Sequence, residues 1–309
     1  MLVLTEQEWR ARQAAHRERV ARWTAPHRER QHHQRKHPVL DFLFTYYSFR
    51  PARLERWQPG VGVALVNGQE FLSRKGFTET AEGVALDPAA LTDKRRDSAE
   101  FILGLLSATA SRQARLGCFG LHEWAMVYRT APDDVRHSSW PLRLGHEGTD
   151  EVVESMPISC THHDAFRFFT PQARPLNALQ PSRADQVRLE QPGCLHANMD
   201  LFKWAYKLDP FVPGELIADC FELAVRVREL DMCASPYDLR ELGYEPVPIE
   251  TPQGRAEYVR RQREFAEEAA VLRQRLIDTC RDVLAWATPI HAEPRSTSRP
   301  NPSAPKDAA

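Results

Sequence analysis

No Cys-x-x-Cys pair occurs among the six cysteines Cys118, Cys160, Cys194, Cys220, Cys233 and Cys280, which excludes a zinc ribbon. No apolar run is long enough to cross a bilayer. The N-terminus is charged almost at once, so no signal peptide is expected. Isolated thiols without such a leader are expected to stay reduced, in a cytoplasmic protein with no membrane partner. An excess of one charge is lacking too: 41 Lys and Arg against 42 Asp and Glu leave a net -1. That excludes a uniformly basic protein that coats DNA and leaves room for a local basic face. Glycine is scarce, 14 against 23 prolines, which points to many rigid connections. His-Glu-x-x-His is missing, and no internal repeat of fixed period occurs.

What is present is an ordinary globular composition, 42% hydrophobic and 27% charged over 309 residues, enough for a sizeable core. Thr5-Glu6-Gln7-Glu8 reads as a capping box opening a helix that Pro26 is expected to break or restart. That segment, residues 1–35, is rich in Arg and His; it reads either as a basic arm that meets phosphates or as a solvated helix face diluted by Glu. The aromatic run from Val39 to Pro51 is expected in the core, with Asp41 capping a helix that starts near Phe42, and Tyr46 and Tyr47 free to present hydroxyls to a ligand. Pro59-Gly60-Val61-Gly62 has the look of a helix-hairpin-helix turn, but Asn67-Gly68 is a strong hairpin signal. Residues 61–87, including Glu70–Ser73 and Gly83–Leu86, are therefore read as a small antiparallel sheet. Helices are expected at Thr92–Leu116, Leu121–Arg129, within Cys160–Phe169, at His196–Leu208, from Gly214 on, and from Thr251 to Trp286, with 131–158 as loop. The fold expected is mainly α: a basic N-terminal arm over 1–35, one helical catalytic domain over 36–287 carrying the hairpin insertion, and a Pro/Ser/Ala-rich disordered tail at 288–309.

Three short stretches carry the chemistry: Cys118 to Trp124, Cys160 to Phe168, and Cys194 to Trp204. Each sets a Cys, one or two His and a carboxylate beside aromatics, the makings of a polar pocket with an apolar wall. One reading is a metal site. His122, His163 and His196 would serve as ligands, with Glu123, Asp164 and Asp200 as the nearby oxygens; two His and a carboxylate suit iron or zinc. Another is a metal-free acid/base site. Asp164 leads it, Glu123 and Asp200 are second choices, and His162, His163 and His196 orient them. Burial raises the pKa of such a carboxylate unless a neighbouring cation pulls it back. Cys160 beside His162 is either a thiolate nucleophile or an inert buried thiol. The third reading is structural: such His and Asp residues cap helices and bond to backbone.

Four longer stretches resemble a known group: Lys36-His-Pro-Val-Leu-Asp-Phe-Leu-Phe-Thr-Tyr-Tyr-Ser-Phe-Arg-Pro51, Thr161-His-His-Asp-Ala-Phe-Arg-Phe-Phe-Thr-Pro171, Gln191-Pro-Gly-Cys-Leu-His-Ala-Asn-Met-Asp200 on to Lys207, and Ala234-Ser-Pro-Tyr-Asp238. They are similar to bacterial proteins labelled 3-methyladenine DNA glycosylase. The resemblance implies a DNA-repair hydrolase that needs no cofactor, flips an alkylated base out of DNA and cleaves its N-glycosidic bond. Trp124, Phe166, Phe168, Trp204 and Tyr206 are the rings expected to stack on that base. Two other classes stand beside it: an iron or zinc enzyme acting on a small molecule, and a non-enzymatic helical binding protein.

Overall fold

The computed structural model describes residues 1–131 and 139–286; the tail expected at 288–309 lies outside them. The fold is mainly α with a small four-stranded sheet. In chain order the strands are β1 (Leu2–Leu4), β2 (Val63–Leu65), β3 (Phe77–Thr80) and β4 (Gly83–Leu86). The helices are α1 (Glu6–His32), α2 (Phe42–Tyr46), α3 (Pro51–Leu54), α4 (Asp93–Ala110), α5 (Leu121–Ala125), α6 (Gly145–Ser155), α7 (His163–Phe166), α8 (Gln186–Leu189), α9 (Leu195–Lys207), α10 (Gly214–Cys233) and α11 (Pro252–Trp286). Among the described residues no helix is long and apolar enough to cross a membrane.

Helix α1 starts at the expected capping box, with Thr5 and Glu8 bonding reciprocally. It does not break at Pro26. Its last turns are held by tertiary bonds that outweigh the one backbone bond a proline forfeits: Thr24 and Arg28 bond Glu55, while His27 and Arg30 bond Asp41. Asp41 consequently caps no helix; its carboxylate takes His27, Arg30 and the His37 N–H instead. Farther up, Arg19 and Arg22 pair with Asp219 and Glu222 on α10, so those arginines are joined to the body.

The sheet order is β1-β2-β4-β3. The antiparallel hairpin is β3–β4, with Thr78 opposite Ala85. It is not built on Asn67-Gly68, which leads into a 3-10 turn at Gln69–Ser73, where a strand was expected. There Phe71 turns inward and closes a small core with Leu4, Trp9, Trp57, Leu65 and Val84. The parallel pairing of β1 with β2, Leu2 opposite Val63, is not signalled by local pattern. Pro59–Gly62 is not followed by a helix, so the hairpin-helix resemblance ends there. Helix α6 lies inside the stretch read as loop, burying Thr149, Val152 and Val153.

The main core is the packing of α9, α10 and α11 on one another and of α4 on α11. Phe202, Leu223, Leu276 and Leu105 are among its fully buried members. Buried apolar area of this kind is the chief stabilising term. It also makes a rigid frame for the polar residues that α9 and α10 carry inward.

Candidate functional site

The 3.6-residue period puts His196 and Asp200 of α9 on one face, and both are buried. Along α10 the buried stripe Leu216, Cys220, Leu223, Val227 continues to Arg228 and Asp231. Two charged residues on a buried stripe are costly unless they are paired. Helix α5 supplies His122 and Glu123 from its first turn, and His162 immediately precedes α7, which carries Asp164.

These side chains form two adjoining groups. In the first, His122 Nε2 lies 2.9 Å from Asp231 Oδ1. Both atoms are buried, and each is the other's close partner. The His196 ring meets His122 edge to face at 4.4 Å. One ligand atom from each of His122, His196 and Asp231 lies within 4.8 Å of the others. The other Asp231 oxygen accepts from Arg228 at 3.0 Å, and the same Arg228 nitrogen donates to Glu123 at 2.8 Å. Burial pushes the His122 pKa down, but the Asp231 carboxylate outweighs it and draws it up. Burial and the neighbouring His122 push His196 well down, so its imidazole is neutral and open to coordination.

In the second group His162 Nε2 lies 3.4 Å from both Glu190 and Asp200. The His162 ring is fully buried between these two carboxylates. This group already holds a cation: Lys203 donates to Asp200 at 2.7 Å and to Asp164 at 3.0 Å. The Tyr47 hydroxyl donates to the other Asp200 oxygen at 2.8 Å. Burial pushes Asp200 up, yet Lys203 and His162 outweigh it and hold the carboxylate well below its usual range. Asp164 follows the same pattern, with burial raising its pKa and Lys203 pulling it below the ordinary value. The cation that decides the Asp164 charge is therefore Lys203. The His162 and His196 rings, 5.3 Å apart, join the two groups.

A narrow cleft opens onto the first group between Phe42, Tyr46, Phe168, Glu123, Asp164 and Arg228, with His196 in its wall. Phe42 and Tyr46 are stacked at 4.9 Å, and the Arg228 guanidinium covers Phe42 at 3.8 Å. Of the rings expected to stack on a base, Phe168 lines this cleft. Trp124 is core, its indole N–H donating to the Ala234 carbonyl at 2.8 Å. Phe166 packs on Phe169, Trp204 lies against Phe101, and Tyr206 donates to the Tyr47 carbonyl. His163 is turned to the Pro181 carbonyl, 3.1 Å from Nδ1, and joins neither group. The Cys160 thiol donates to the His162 carbonyl, and burial pushes its pKa up to about 12, so it is no thiolate nucleophile.

Asp231, Arg228, Glu190 and Lys203 were not foreseen as site residues. For Asp231 and Arg228 the signal was available, since carrying the apolar period of α10 four residues on from Ala224 and from Val227 lands on Arg228 and Asp231. Glu190 lies within a polar stretch, residues 172–193, that has no periodicity, and no local pattern marks it. No protein-family model matches the chain, and neither does any curated protein or any solved structure.

Proposed function

We propose that the chain is a metal-dependent enzyme whose centre is an iron or zinc ion held by His122, His196 and Asp231. The observation that carries this reading is the convergence of His122, His196 and Asp231, all buried, each with a ligand atom within 4.8 Å of the others and with His122 Nε2 only 2.9 Å from Asp231 Oδ1. A shared cation satisfies both atoms at once. Three protein ligands leave coordination positions open, the arrangement of catalytic zinc and of two-His-one-carboxylate iron sites. Such an ion polarises a substrate oxygen or acidifies a bound water. Arg228 fixes Asp231 through its second oxygen, the outer support that tunes ligand orientation. The cleft offers rings together with the ionised Asp164 and the Arg228–Glu123 pair, which suits a small flat substrate carrying both donors and acceptors.

Elemental analysis of the purified chain, before and after exposure to Fe(II) or Zn(II), tests the reading. One equivalent of metal is expected, with more than tenfold weaker binding in Asp231→Asn and in His196→Ala and unchanged binding in Asp164→Asn. Equal metal content in wild type and Asp231→Asn would overturn it.

A second reading, release of an alkylated base from DNA, is favoured by the same cleft, where Phe168 and the stacked Phe42–Tyr46 pair stand beside two carboxylates. In it the ionised Asp164 stabilises the cationic sugar. Duplex DNA containing 3-methyladenine should then lose free base to the metal-free chain, and Asp164→Asn should abolish the release. No release at micromolar protein ends this reading and leaves the first intact.

A further inference from the structure

A second cavity, partly open to solvent, also reaches His122 and His196. Its wall contains three cysteines from three separate segments: Cys118, Cys160 and Cys194. None is in a disulfide. Each stands just ahead of the histidine its own segment sends into the site, so the three Cys-then-His stretches converge twice: thiols on one cavity, imidazoles at the wall behind it. We propose that this cavity binds an iron–sulfur cluster through Cys118, Cys160 and Cys194.

Three buried amide side chains hold the cysteine segments together. Asn177 accepts from the Cys160 N–H at 2.7 Å and donates to the Cys160 carbonyl at 3.0 Å. Gln191 accepts from the Arg115 and Gly193 N–H groups at 2.9 and 2.7 Å, tying the run before Cys118 to the run before Cys194. Gln262 donates to the Gly193 carbonyl at 2.6 Å and to Cys118 Sγ at 3.4 Å. Gly193 permits this close approach, because a Cβ there would sit 2.5 Å from the Arg115 carbonyl oxygen. The fully buried Tyr258 hydroxyl lies beside the Cys118 thiol.

The size of the arrangement selects the ligand. Ligands of a single tetrahedral metal with bonds of about 2.3 Å lie roughly 4 Å apart. Among the described residues the groups of three ligand atoms within 4.8 Å contain no cysteine, so the three sulfurs are spread wider than one ion needs. They are near enough that Cys118 and Cys160 both raise the Cys194 pKa, after burial. Three thiols around a space larger than one ion would fit an inorganic cluster with one iron left for a ligand other than a protein thiolate. Binding exchanges three thiol protons for three iron–sulfur bonds, with no change in the oxidation state of the protein.

The test is to express the full chain with iron and sulfur supplied and purify it under nitrogen. A brown protein is expected, with a broad visible band and acid-labile sulfide equal to its iron beyond any ion at Asp231. Cys118→Ser, Cys160→Ser and Cys194→Ser should each lower the sulfide at least fivefold, while Cys220→Ser, Cys280→Ser and Asp231→Asn keep it. Where a serine variant fails to fold, alkylation of the wild type decides: three thiols should be protected in the loaded protein and freed by an iron chelator. Metal without sulfide after reconstitution, or sulfide retained in the triple serine variant, would overturn the proposal. The Asp231→Asn result keeps its failure separate from failure of the mononuclear site.

Discussion

Asp41 gathers three donors, and its energetics follow from their charge. Burial alone would raise its pKa, but the Arg30 and His27 bonds and the His37 N–H outweigh it and bring the carboxyl below its ordinary 3.8. A carboxylate whose folded pKa is depressed contributes stability fully above its unfolded pKa and loses that contribution as pH falls through the lower, folded one. Asp41→Asn should therefore cost about 2 kcal/mol at pH 7, the scale of charge-assisted bonds. The gap to wild type should start to narrow below about pH 3.8 and close only once pH has fallen through the depressed folded pKa, where both carry a neutral group. Urea midpoints measured across pH 2 to 7 check this, and a constant gap at every pH would refute it. The sequence marked Asp41 as out of place in an apolar run, which is the useful half of the reading; its partners lie 11 and 14 residues back, beyond local pattern. His122, His196, Glu123 and Asp164 were legible for a related reason. A titratable residue among core aromatics must find a partner, and these partners turned out to be one another's neighbours. His163 and the rings of Trp124, Phe166, Trp204 and Tyr206 share that local signature, but the helices turn them elsewhere, and facing is a tertiary property.

At the scale of elements, the long helices were legible because propensity, period and caps agreed. Helix α11 shows how narrow the fit at such a start is. Thr251 accepts from the Gly254 N–H at 3.0 Å and donates to the Pro248 carbonyl at 2.9 Å, while Pro252 occupies the first turn. A Cβ at Gly254 would meet that same carbonyl oxygen at 2.0 Å. Thr251→Ala should cost about 1 kcal/mol as a lost cap. Gly254→Ala should cost more, about 3 kcal/mol, because backbone must move to admit the methyl. Thermal midpoints should fall in that order, and the reverse order would show that the helix start relaxes freely. The weakly marked elements were the short ones. The 3-10 turn at Gln69–Ser73 has strand-like composition, and α6 sits among loop-forming residues. In both, burial of a few side chains overrode local preference.

The sheet at one end and the helical body share α1, and this decides how the whole molecule unfolds. Near its start α1 buries Trp9 in the small core, with the indole N–H on the Val66 carbonyl at 2.8 Å and its edge on Phe71. Three turns on, Val20 enters the main core, and His27 lies against Phe44 at 4.3 Å. Trp57, also in the small core, reaches Glu215 of α10 at 2.7 Å. A helix transmits loss at one end to the other, because its hydrogen bonds form cooperatively. Two hydrophobic clusters bolted to the same rigid rod are therefore expected to melt as one unit. Trp9→Ala removes a fully buried ring and should cost about 4 kcal/mol. If the coupling holds, the variant keeps a single urea transition at a lower midpoint, and far-UV circular dichroism and tryptophan fluorescence follow the same curve. Two separate steps, with the main one unmoved from the wild-type midpoint, would mean that the sheet is a detachable annex and that α1 does not carry the load between the cores.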